Sequence, residues 1–249
     1  MEYYPFAGFL PLERMSRPIY TSFAWAYDLV VPSPGAPHEG EVARLLAGRR
    51  TIVDAGCGTG RDAAALAETG FQVTGIDASA EMVAVARERL PDARFEVGDV
   101  RIWQSAEPFD GALCRGVLND LIEDDDRQAA LDNIARMLRP GGLLVLGVRE
   151  LERTHVRYKR EPVVTRSAEG VFFRSETHFV ADRMMVSETI SSADAHEDYE
   201  FRMRPWTLTE VDERAKAAGF ARIERRLEGD RIVALLTTDG QRLAPSAGG

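Results

Sequence analysis

The chain has 249 residues, of which 45% are hydrophobic and 29% charged, as in an ordinary globular protein. This length suits one large α/β domain with an insertion better than two full-sized domains. Forty acidic residues against 31 basic ones give a net charge of −9, which repels phosphate backbones and anionic membranes. We therefore expect neither nucleic acid nor a membrane as a partner.

The sequence also argues against export and against a cysteine-based metal site. No apolar run reaches the roughly 20 residues of a membrane span, and the first residues lack the basic and apolar regions of a signal peptide. Cys57 and Cys114 are the only cysteines, too few for a disulfide framework or a cysteine metal site. We therefore predict a cytoplasmic protein without a bound metal.

The first forty residues contain little predicted regular structure. Prolines punctuate them, so a long helix is confined to the interval between Ile19 and Val31. That interval is rich in aromatic side chains with polar tips, which can cover apolar surface while a hydroxyl group binds a ligand. The alternative is a helix whose aromatic residues pack on the core. A short helix over residues 41–48 is predicted to follow.

The segment Thr51–Gly60 is the centre of the predicted fold. It begins with a short apolar run that suits a buried parallel strand, and it ends with glycines at alternate positions, Gly56, Gly58 and Gly60. Glycine lets the turn adopt backbone angles that other residues avoid, and the helix predicted from Arg61 offers unpaired N–H groups at its start. This arrangement predicts a site for a polar or anionic small molecule.

The spacing of these glycines separates two classes of nucleotide-binding site. The dinucleotide fingerprint G-x-G-x-x-G would place its third glycine where this chain has Arg61. The pattern here is G-x-G-x-G, and the run from Val53 to Gly60 resembles the first motif of the class I S-adenosylmethionine-dependent methyltransferases. In that family the turn lies under the methionine part of the cofactor, and a nearby carboxylate helps hold the amino group. The resemblance implies these cofactor-binding residues: Asp54, Gly56, Cys57 and Gly58.

A second strand, Phe71–Asp77, is predicted to end in an acidic residue. Asp77 follows the glycine turn at nearly the separation at which an acidic residue meets a ribose in nucleotide-binding βαβ units. A carboxylate can accept hydrogen bonds from both ribose hydroxyl groups. Ala78 continues the methyltransferase pattern, and a helix from Ala80 to Leu90 places Met82 either against an adenine ring, which we favour, or in the core.

A third strand, Arg94–Val100, carries a pair of residues that resembles the family's third motif. In that motif an acidic side chain and the next backbone N–H bind the adenine edge, so the resemblance implies binding by Gly98, Asp99 and Val100. An exposed loop aspartate is the alternative.

A fourth strand, Phe109–Cys114, leads into a segment that in the family runs along the cofactor and faces the acceptor. The resemblance implies that Arg115 binds the cofactor and that Asn119 binds the acceptor. An amphipathic helix over residues 123–138 follows. The turn at residues 139–142 and a fifth strand over residues 143–148 complete a leucine-arginine-proline-glycine-glycine signature of this family.

The resemblance covers residues 20–148 and extends to the aromatic N-terminal interval. In relatives the corresponding segment folds over the occupied cofactor pocket as a lid, which implies a cofactor contact for Tyr27 and an acceptor contact for Tyr20.

Between Arg149 and Trp206 the alternation of strands and helices is lost. We predict antiparallel strands over residues 171–180, 184–190 and 199–206. An insertion after the fifth strand lies at the carboxyl edge of the sheet, where ligands of open α/β sheets bind. Arg149 and Arg174 are candidates to bind an acceptor carboxylate, and His178 is the candidate general base if the acceptor needs one.

We therefore predict a Rossmann-like class I methyltransferase fold, with a mostly parallel seven-stranded sheet and an antiparallel β insertion between strand 5 and the following helix. A helix that begins at Thr207 and a final hairpin resume the core. The predicted units are a lid segment (1–40), a cofactor-binding core (41–149), a β-rich cap (150–206), the C-terminal part of the core (207–240) and a tail (241–249).

The predicted function is transfer of a methyl group from S-adenosylmethionine to a small-molecule acceptor, by direct displacement at the sulfonium methyl. N-methylation is favoured over O- or C-methylation, because an amine needs no strong base. The alternatives are a binding protein without catalysis, a nicotinamide-dependent reductase and methylation of a protein side chain. A homodimer stays open as an alternative to a monomer.

Overall fold

The computed structural model describes residues 17–31, 37 and 39–240. Its central feature is one seven-stranded sheet in the order β10-β11-β5-β4-β1-β2-β3. The strands of this sheet are β1 (Thr51–Ala55), β2 (Gln72–Asp77), β3 (Arg94–Val97), β4 (Phe109–Arg115), β5 (Leu138–Arg149), β10 (Phe220–Glu228) and β11 (Arg231–Thr238). Strands β1 to β5 are parallel, whereas β11 runs antiparallel to both β5 and β10. The predicted mostly parallel seven-stranded sheet is confirmed.

Helices cover both faces of this sheet. The α-helices of the described residues are α1 (Tyr27–Val30), α2 (Glu39–Leu45), α3 (Arg61–Glu68), α4 (Ala80–Arg89), α5 (Asp124–Met137), α6 (Leu151–Arg160) and α7 (Leu208–Ala217). Of these, α2, α3 and α4 pack on one face of the sheet, and α5 and α7 pack on the other. Local sequence sets several of their starts. The Ser79 hydroxyl oxygen accepts a hydrogen bond from Met82 N at 3.0 Å, and Thr207 does the same for Glu210 N at 3.0 Å.

Alternate residues of the central strands build two separate hydrophobic layers. In β1, Ile52 packs with α2, α3 and α4 on one face, while Val53 packs with α5 and α7 on the other. In β4, Leu113 joins the first layer and its neighbours Ala112 and Cys114 join the second. Strands buried on both faces explain the continuous apolar runs in the sequence. The carboxyl edge of the sheet is consequently where polar residues gather.

The cap, residues 150–206, consists of α6 and a separate antiparallel sheet. The sheet contains β6 (Val163–Ala168), β7 (Val171–Val180), β8 (Arg183–Ser191) and β9 (His196–Met203), in that order. Three cap strands were predicted, with β9 placed a few residues too late, but α6 and β6 were missed. Half of the residues of helix α6 are charged and few are apolar, so its sequence gives only a weak signal of a packed helix.

The N-terminal segment packs on the cap and on the core. Ile19, Phe23 and Val30 form a buried cluster with Phe173 and Ile190 of the cap. On the core side, Ser79 Oγ donates to the Tyr20 carbonyl oxygen at 2.6 Å.

The interval between Ile19 and Val31, to which the prolines confine any long helix, forms two 3-10 turns, Pro18–Tyr20 and Ala24–Ala26, and the short α1. The chain must follow the two surfaces on which it packs, which a straight helix would not do. The start of the predicted lid and the predicted tail, 241–249, lie outside the described residues. Within the described part of the chain, no helix has both the length and the apolar character needed to cross a membrane.

Candidate functional site

A cavity of about 560 Å³ lies between the carboxyl edge of the parallel strands, the N-terminal segment and the inner face of the cap. Fourteen of the sixteen residues predicted to bind cofactor or acceptor line it. These are Tyr20, Tyr27, Gly56, Cys57, Gly58, Asp77, Ala78, Met82, Gly98, Asp99, Val100, Arg115, Asn119 and Arg149. Because parallel strands end at one edge, residues far apart in sequence meet there.

The glycine turn after β1 forms the floor of the cavity. Gly56 has φ +84° and Gly58 has φ +53°, values that favour glycine. A Cβ atom on Gly56 would lie 2.8 Å from Val117 Cβ, so this position has no room for a side chain. A Cβ atom on Gly58 would meet no atom within 4 Å, so the backbone there faces open space. The turn thus offers a bare backbone to a ligand.

Asp77, at the end of β2, holds this turn in place. Its Oδ2 accepts a hydrogen bond from Gly58 N at 2.9 Å, and its Oδ1 accepts one from Ser79 N at 2.9 Å. Burial raises the pKa of Asp77, although these backbone hydrogen bonds lower it. Each carboxylate oxygen keeps acceptor capacity for a ligand hydroxyl group, since a carboxylate can accept about four hydrogen bonds.

Asp54 lies behind the turn and is not among the described residues that line the cavity. It is 2% exposed, and its Oδ2 has no hydrogen-bond partner in the described part of the chain. Burial, with the nearby Asp62, raises its pKa well above the usual range. Asp54 therefore lies outside the cavity wall. Its buried Oδ2 without a hydrogen-bond partner is energetically costly, and a nearby cation would reduce that cost.

Two further predicted residues are each held in an arginine–aspartate ion pair. Asp99, after β3, pairs with Arg101, whose Nε lies 3.0 Å from both carboxylate oxygens. Arg115, at the end of β4, is itself held by Asp62, with Arg115 Nε 2.8 Å from Asp62 Oδ2. Both groups line the cavity. These ion pairs fix the two walls on either side of the glycine turn.

Asn119 connects the end of β4 to the end of β5. Its Nδ2 donates to the Gly116 carbonyl oxygen at 2.7 Å, and its Oδ1 accepts from Arg149 N at 2.9 Å. These bonds use much of the capacity of the amide, so Asn119 holds the cavity wall rigid as well as lining it. Asp120, the next residue, points to Arg17 of the N-terminal segment, with Asp120 Oδ1 3.1 Å from Arg17 Nη2.

The N-terminal segment contributes aromatic rings with buried hydroxyl groups. The Tyr20 and Tyr27 rings lie 5.9 Å apart. Burial raises the pKa of Tyr27 to about 12 and raises that of Tyr20 well above its usual range. Both phenols stay protonated near neutral pH, so neither is suited to act as a base. Arg17 stacks over the Phe201 ring of the cap at 3.6 Å, which ties this segment to β9.

The inner face of the cap presents a carboxylate, Glu188, to the cavity. It lies in register with Ser175 of β7 and Tyr199 of β9. Ser175 Oγ donates to Glu188 at 3.0 Å and the Tyr199 hydroxyl donates at 2.6 Å. Burial raises the pKa of Glu188, and these two hydrogen bonds oppose the rise. Glu188 and Asp120 bring two carboxylates to one side of the cavity, where Arg17 supplies one opposing charge.

The structure places Arg174 and His178 outside the lining of the cavity. Both residues lie on the outer face of β7, since strand residues alternate between faces and Phe173 and Ser175 line the cavity. His178 is exposed, and Arg174 pairs with Glu176 at 2.6 Å. Neither side chain can reach an acceptor in the cavity, so His178 is not a candidate base.

Several residues of the cavity were missed from the sequence. Glu188 carries a recognisable signal, because it occupies a buried position in the alternation Met184, Val186, Ile190 of β8. Arg17 and Arg231 carry no such signal. They reach the cavity only because the N-terminal segment and β11 are brought there by long-range packing.

Comparison with known proteins shows which proteins this chain resembles. A family model described as a methyltransferase domain matches residues 52–142. Trans-aconitate 2-methyltransferase from Azoarcus sp. strain BH72 is 40% identical over 98 residues, which are 39% of this chain and 38% of that protein. A dTDP-3-amino-3,6-dideoxy-alpha-D-glucopyranose N,N-dimethyltransferase from Streptomyces fradiae is 33% identical over 128 residues, covering 48% of this chain and 50% of that protein. The chain thus spans half or less of the length of these curated relatives.

Solved structures resemble the whole described fold, cap included. An S-adenosylmethionine-dependent methyltransferase from Clostridium acetobutylicum matches with a TM-score of 0.73 at 18% identity, over 89% of this chain and 99% of that one. A sugar N-methyltransferase from a Streptoalloteichus species matches with a TM-score of 0.72 at 20% identity, over 87% and 92%. At such identities the likeness concerns the fold alone. The resemblance inferred from the sequence is supported: residues 52–142 match a methyltransferase domain, and the chain has a Rossmann-like fold similar to that of S-adenosylmethionine-dependent methyltransferases.

Proposed function

We propose that this protein is an S-adenosylmethionine-dependent methyltransferase that acts on a small-molecule acceptor, with nitrogen as the methylated atom. The observation that carries the proposal is the continuity of the cavity, which reaches from the glycine turn and Asp77 to the inner face of the cap. One end has the features of a nucleoside site, and the other end is a chamber roofed by the cap. A cofactor and an acceptor can therefore lie end to end within one enclosed space.

The residues at the first end fit this cofactor. Gly58 leaves open space beside the turn, where any side chain would intrude. Asp77 can accept hydrogen bonds from both ribose hydroxyl groups. The buried Asp54 Oδ2 lacks a partner, which suits a site that receives the cationic amino group of the cofactor. The remaining proposed contacts are Tyr27, Gly56, Cys57, Ala78, Met82, Gly98, Asp99, Val100 and Arg115.

When bound, S-adenosylmethionine supplies an activated methyl group, so the protein mainly has to align the acceptor and exclude water. Tyr20 and Tyr27 of the N-terminal segment cover the cavity and so support the role of a lid. Asn119 and Arg149 form the wall between the two ends, which supports their proposed contact with the acceptor. The N-terminal segment and the cap would shield the reacting groups from solvent.

The acidic side of the chamber supports nitrogen as the methylated atom. Asp120 and Glu188 can accept hydrogen bonds from an amine and stabilise the positive charge that develops on its nitrogen. Among the described residues that line the cavity there is no histidine, and burial raises the pKa values of Tyr20, Tyr27 and Cys57. These groups are poor bases for a hydroxyl or carbon acid acceptor. A homodimer and a cytoplasmic location stay predictions from the sequence.

The proposal is tested by binding and then by turnover. Isothermal titration of the purified chain with S-adenosylhomocysteine and, separately, with NAD should show binding of the sulfur nucleoside alone. Matched amine, hydroxyl and carboxylate compounds are then screened for formation of S-adenosylhomocysteine from S-adenosylmethionine. Acceptor-dependent product with amines supports an N-methyltransferase. Binding without turnover on any class would instead favour a binding protein, and binding of NAD would overturn the proposal.

Replacing Glu188 with glutamine should reduce kcat/KM for an amine acceptor by roughly 10-fold to 100-fold at pH 8, because a hydrogen bond to a charged group is lost. Glu188 is charged only above its raised pKa, so the ratio of wild-type to variant activity should shrink towards one as the pH falls through that value. Measuring both proteins across the same pH series cancels the titration of the amine itself.

The matched control is Glu176→Gln, on the exposed outer face of β7. It removes an acidic charge from the same cap sheet without touching the cavity. Equal losses in both variants at every pH would argue against a role for Glu188 in the reaction.

A further inference from the structure

A cluster of arginines occupies the end of the cavity where β5 meets β11. Arg149 Nη1 lies 3.1 Å from Asp230 Oδ2, and Arg157 Nη1 lies 2.9 Å from the same oxygen. Arg231 Nε lies 3.6 Å from Asp230 Oδ1. All four residues line the cavity. Three guanidinium groups thus share one carboxylate, so the cluster carries an excess of positive charge in an otherwise acidic protein.

Arg231 is the most exceptional member of this cluster. It is 8% exposed, and its Nε has no hydrogen-bond partner in the described part of the chain. Burial and the charge of the adjacent Arg149 together lower its pKa to about 9. A buried cation with an unused donor is costly unless something pairs with it.

The backbone places these like charges in direct opposition. Arg231 of β11 is the register partner of Arg149 of β5 in an antiparallel pair. Like charges directly opposite on neighbouring strands destabilise a sheet. The β10–β11 turn also has a backbone attachment, because the Asp230 carbonyl oxygen accepts a hydrogen bond from Glu150 N at 2.9 Å.

We infer that Arg149, Arg157 and Arg231 bind an anionic group of the acceptor, a carboxylate or a phosphate. The inference rests on the proposed function and specifies its substrate class. Guanidinium groups match the oxygen pairs of both anions with two parallel hydrogen bonds. The acceptor then spans the chamber, with its anion on the arginine cluster and its amine towards Asp120 and Glu188.

The arginine cluster and Asp120 are connected through Asn119. Asn119 Oδ1 accepts from Arg149 N at 2.9 Å, and Asp120 follows directly in the chain. The Asn119 side-chain amide therefore fixes the position of the arginine cluster relative to Asp120. Arg166, on the inner face of β6, adds a further positive charge to the cavity lining.

The test measures anion binding to the full chain, with and without saturating S-adenosylhomocysteine, at constant ionic strength. Isothermal titration uses two probes, pyrophosphate for phosphate-bearing acceptors and succinate for carboxylate-bearing ones. We expect saturable binding of one of them to the wild-type chain, and the tighter probe identifies the anion. Arg231→Met should weaken that binding by about tenfold or more, through loss of paired hydrogen bonds. Affinity for S-adenosylhomocysteine should be unchanged in the variant.

The control is Arg222→Met, an exposed residue of β10 paired with Glu224. If Arg231→Met fails to fold, Arg157→Met takes its place, since the Arg157 side chain is 49% exposed on α6. Absence of saturable anion binding, or equal binding by the cavity variants and the control, overturns the inference. Failure of the wild-type chain to bind S-adenosylhomocysteine overturns the proposed function instead, while the titration without that ligand still reports on the cluster.

Discussion

Gly58→Val should weaken binding of S-adenosylmethionine by about 100-fold or more, which corresponds to roughly 2.7 kcal/mol. The position has φ +53°, which a β-branched residue avoids, and its Cβ would project into the open space beside the turn. Gly58 N also donates to Asp77 Oδ2 at 2.9 Å, so a distorted turn disturbs that carboxylate as well. Isothermal titration with S-adenosylmethionine measures the loss.

A valine at Gly141 is the matched control for this variant. Gly141 has φ +75°, and a Cβ there would also meet no atom within 4 Å. It lies near the start of β5 and is not among the described residues that line the cavity. Gly141→Val therefore imposes similar backbone strain, about 1–2 kcal/mol, without placing a side chain in the proposed site. Binding should be retained in Gly141→Val; equal affinities in the two variants would refute the proposed position of the cofactor.

Asp77→Ala should also reduce affinity for S-adenosylmethionine by about 100-fold, because hydrogen bonds from the ribose hydroxyl groups to a charged acceptor are lost. The pKa of Asp77 is raised by burial. Its carboxylate loses its charge as the pH falls through that raised value, so the affinity of the wild-type chain should fall over the same acidic range. Asp77→Ala should lack this part of the pH dependence. Titration calorimetry at several pH values tests both statements.

Asp110 provides a control that separates ligand binding from support of the backbone. Its Oδ2 accepts hydrogen bonds from Arg50 N at 2.9 Å and from Thr51 N at 2.8 Å, at the opposite end of the sheet. Asp110→Ala thus also leaves two backbone donors without a carboxylate, away from the cavity. Thermal unfolding should show comparable destabilisation in both variants, and only Asp77→Ala should lose affinity. A parallel loss of affinity in Asp110→Ala would assign the effect to stability.

The glycine turn and the ends of the strands could be predicted from the sequence, because each is marked by a pattern of neighbouring residues. The order of apolar run, glycines and helix start within Thr51–Gly60 constrains the backbone directly, and Asp77 and Asp99 follow their strands by short, regular distances. In a parallel sheet, residues at the carboxyl ends of strands share one edge wherever the strands lie in the order. The lining of the cofactor end of the cavity could therefore be predicted residue by residue.

The cap could not be predicted at the same level. Strand β7 has large apolar residues on both faces, with Phe172 beside Phe173 and Phe179 beside Val180, so alternation does not tell which side faces the cavity. The sequence therefore left open which face of β7 lines the cavity, and packing against the N-terminal segment decides it by burying Phe173. The charged helix α6 was missed because it has too few apolar residues to show a helical period.

The sequence by itself determined the class of fold, the position of the glycine turn and the acidic residues at the strand ends, since each depends on neighbours in the chain. Tertiary structure alone decided which residues form the acceptor chamber. Arg17, Glu188 and Arg231 come from three distant segments, and they meet because the cap folds over the sheet edge and β11 pairs with β5. Long-range pairing and packing, which leave no local pattern, set the charge of the chamber and hence the kind of acceptor that we propose.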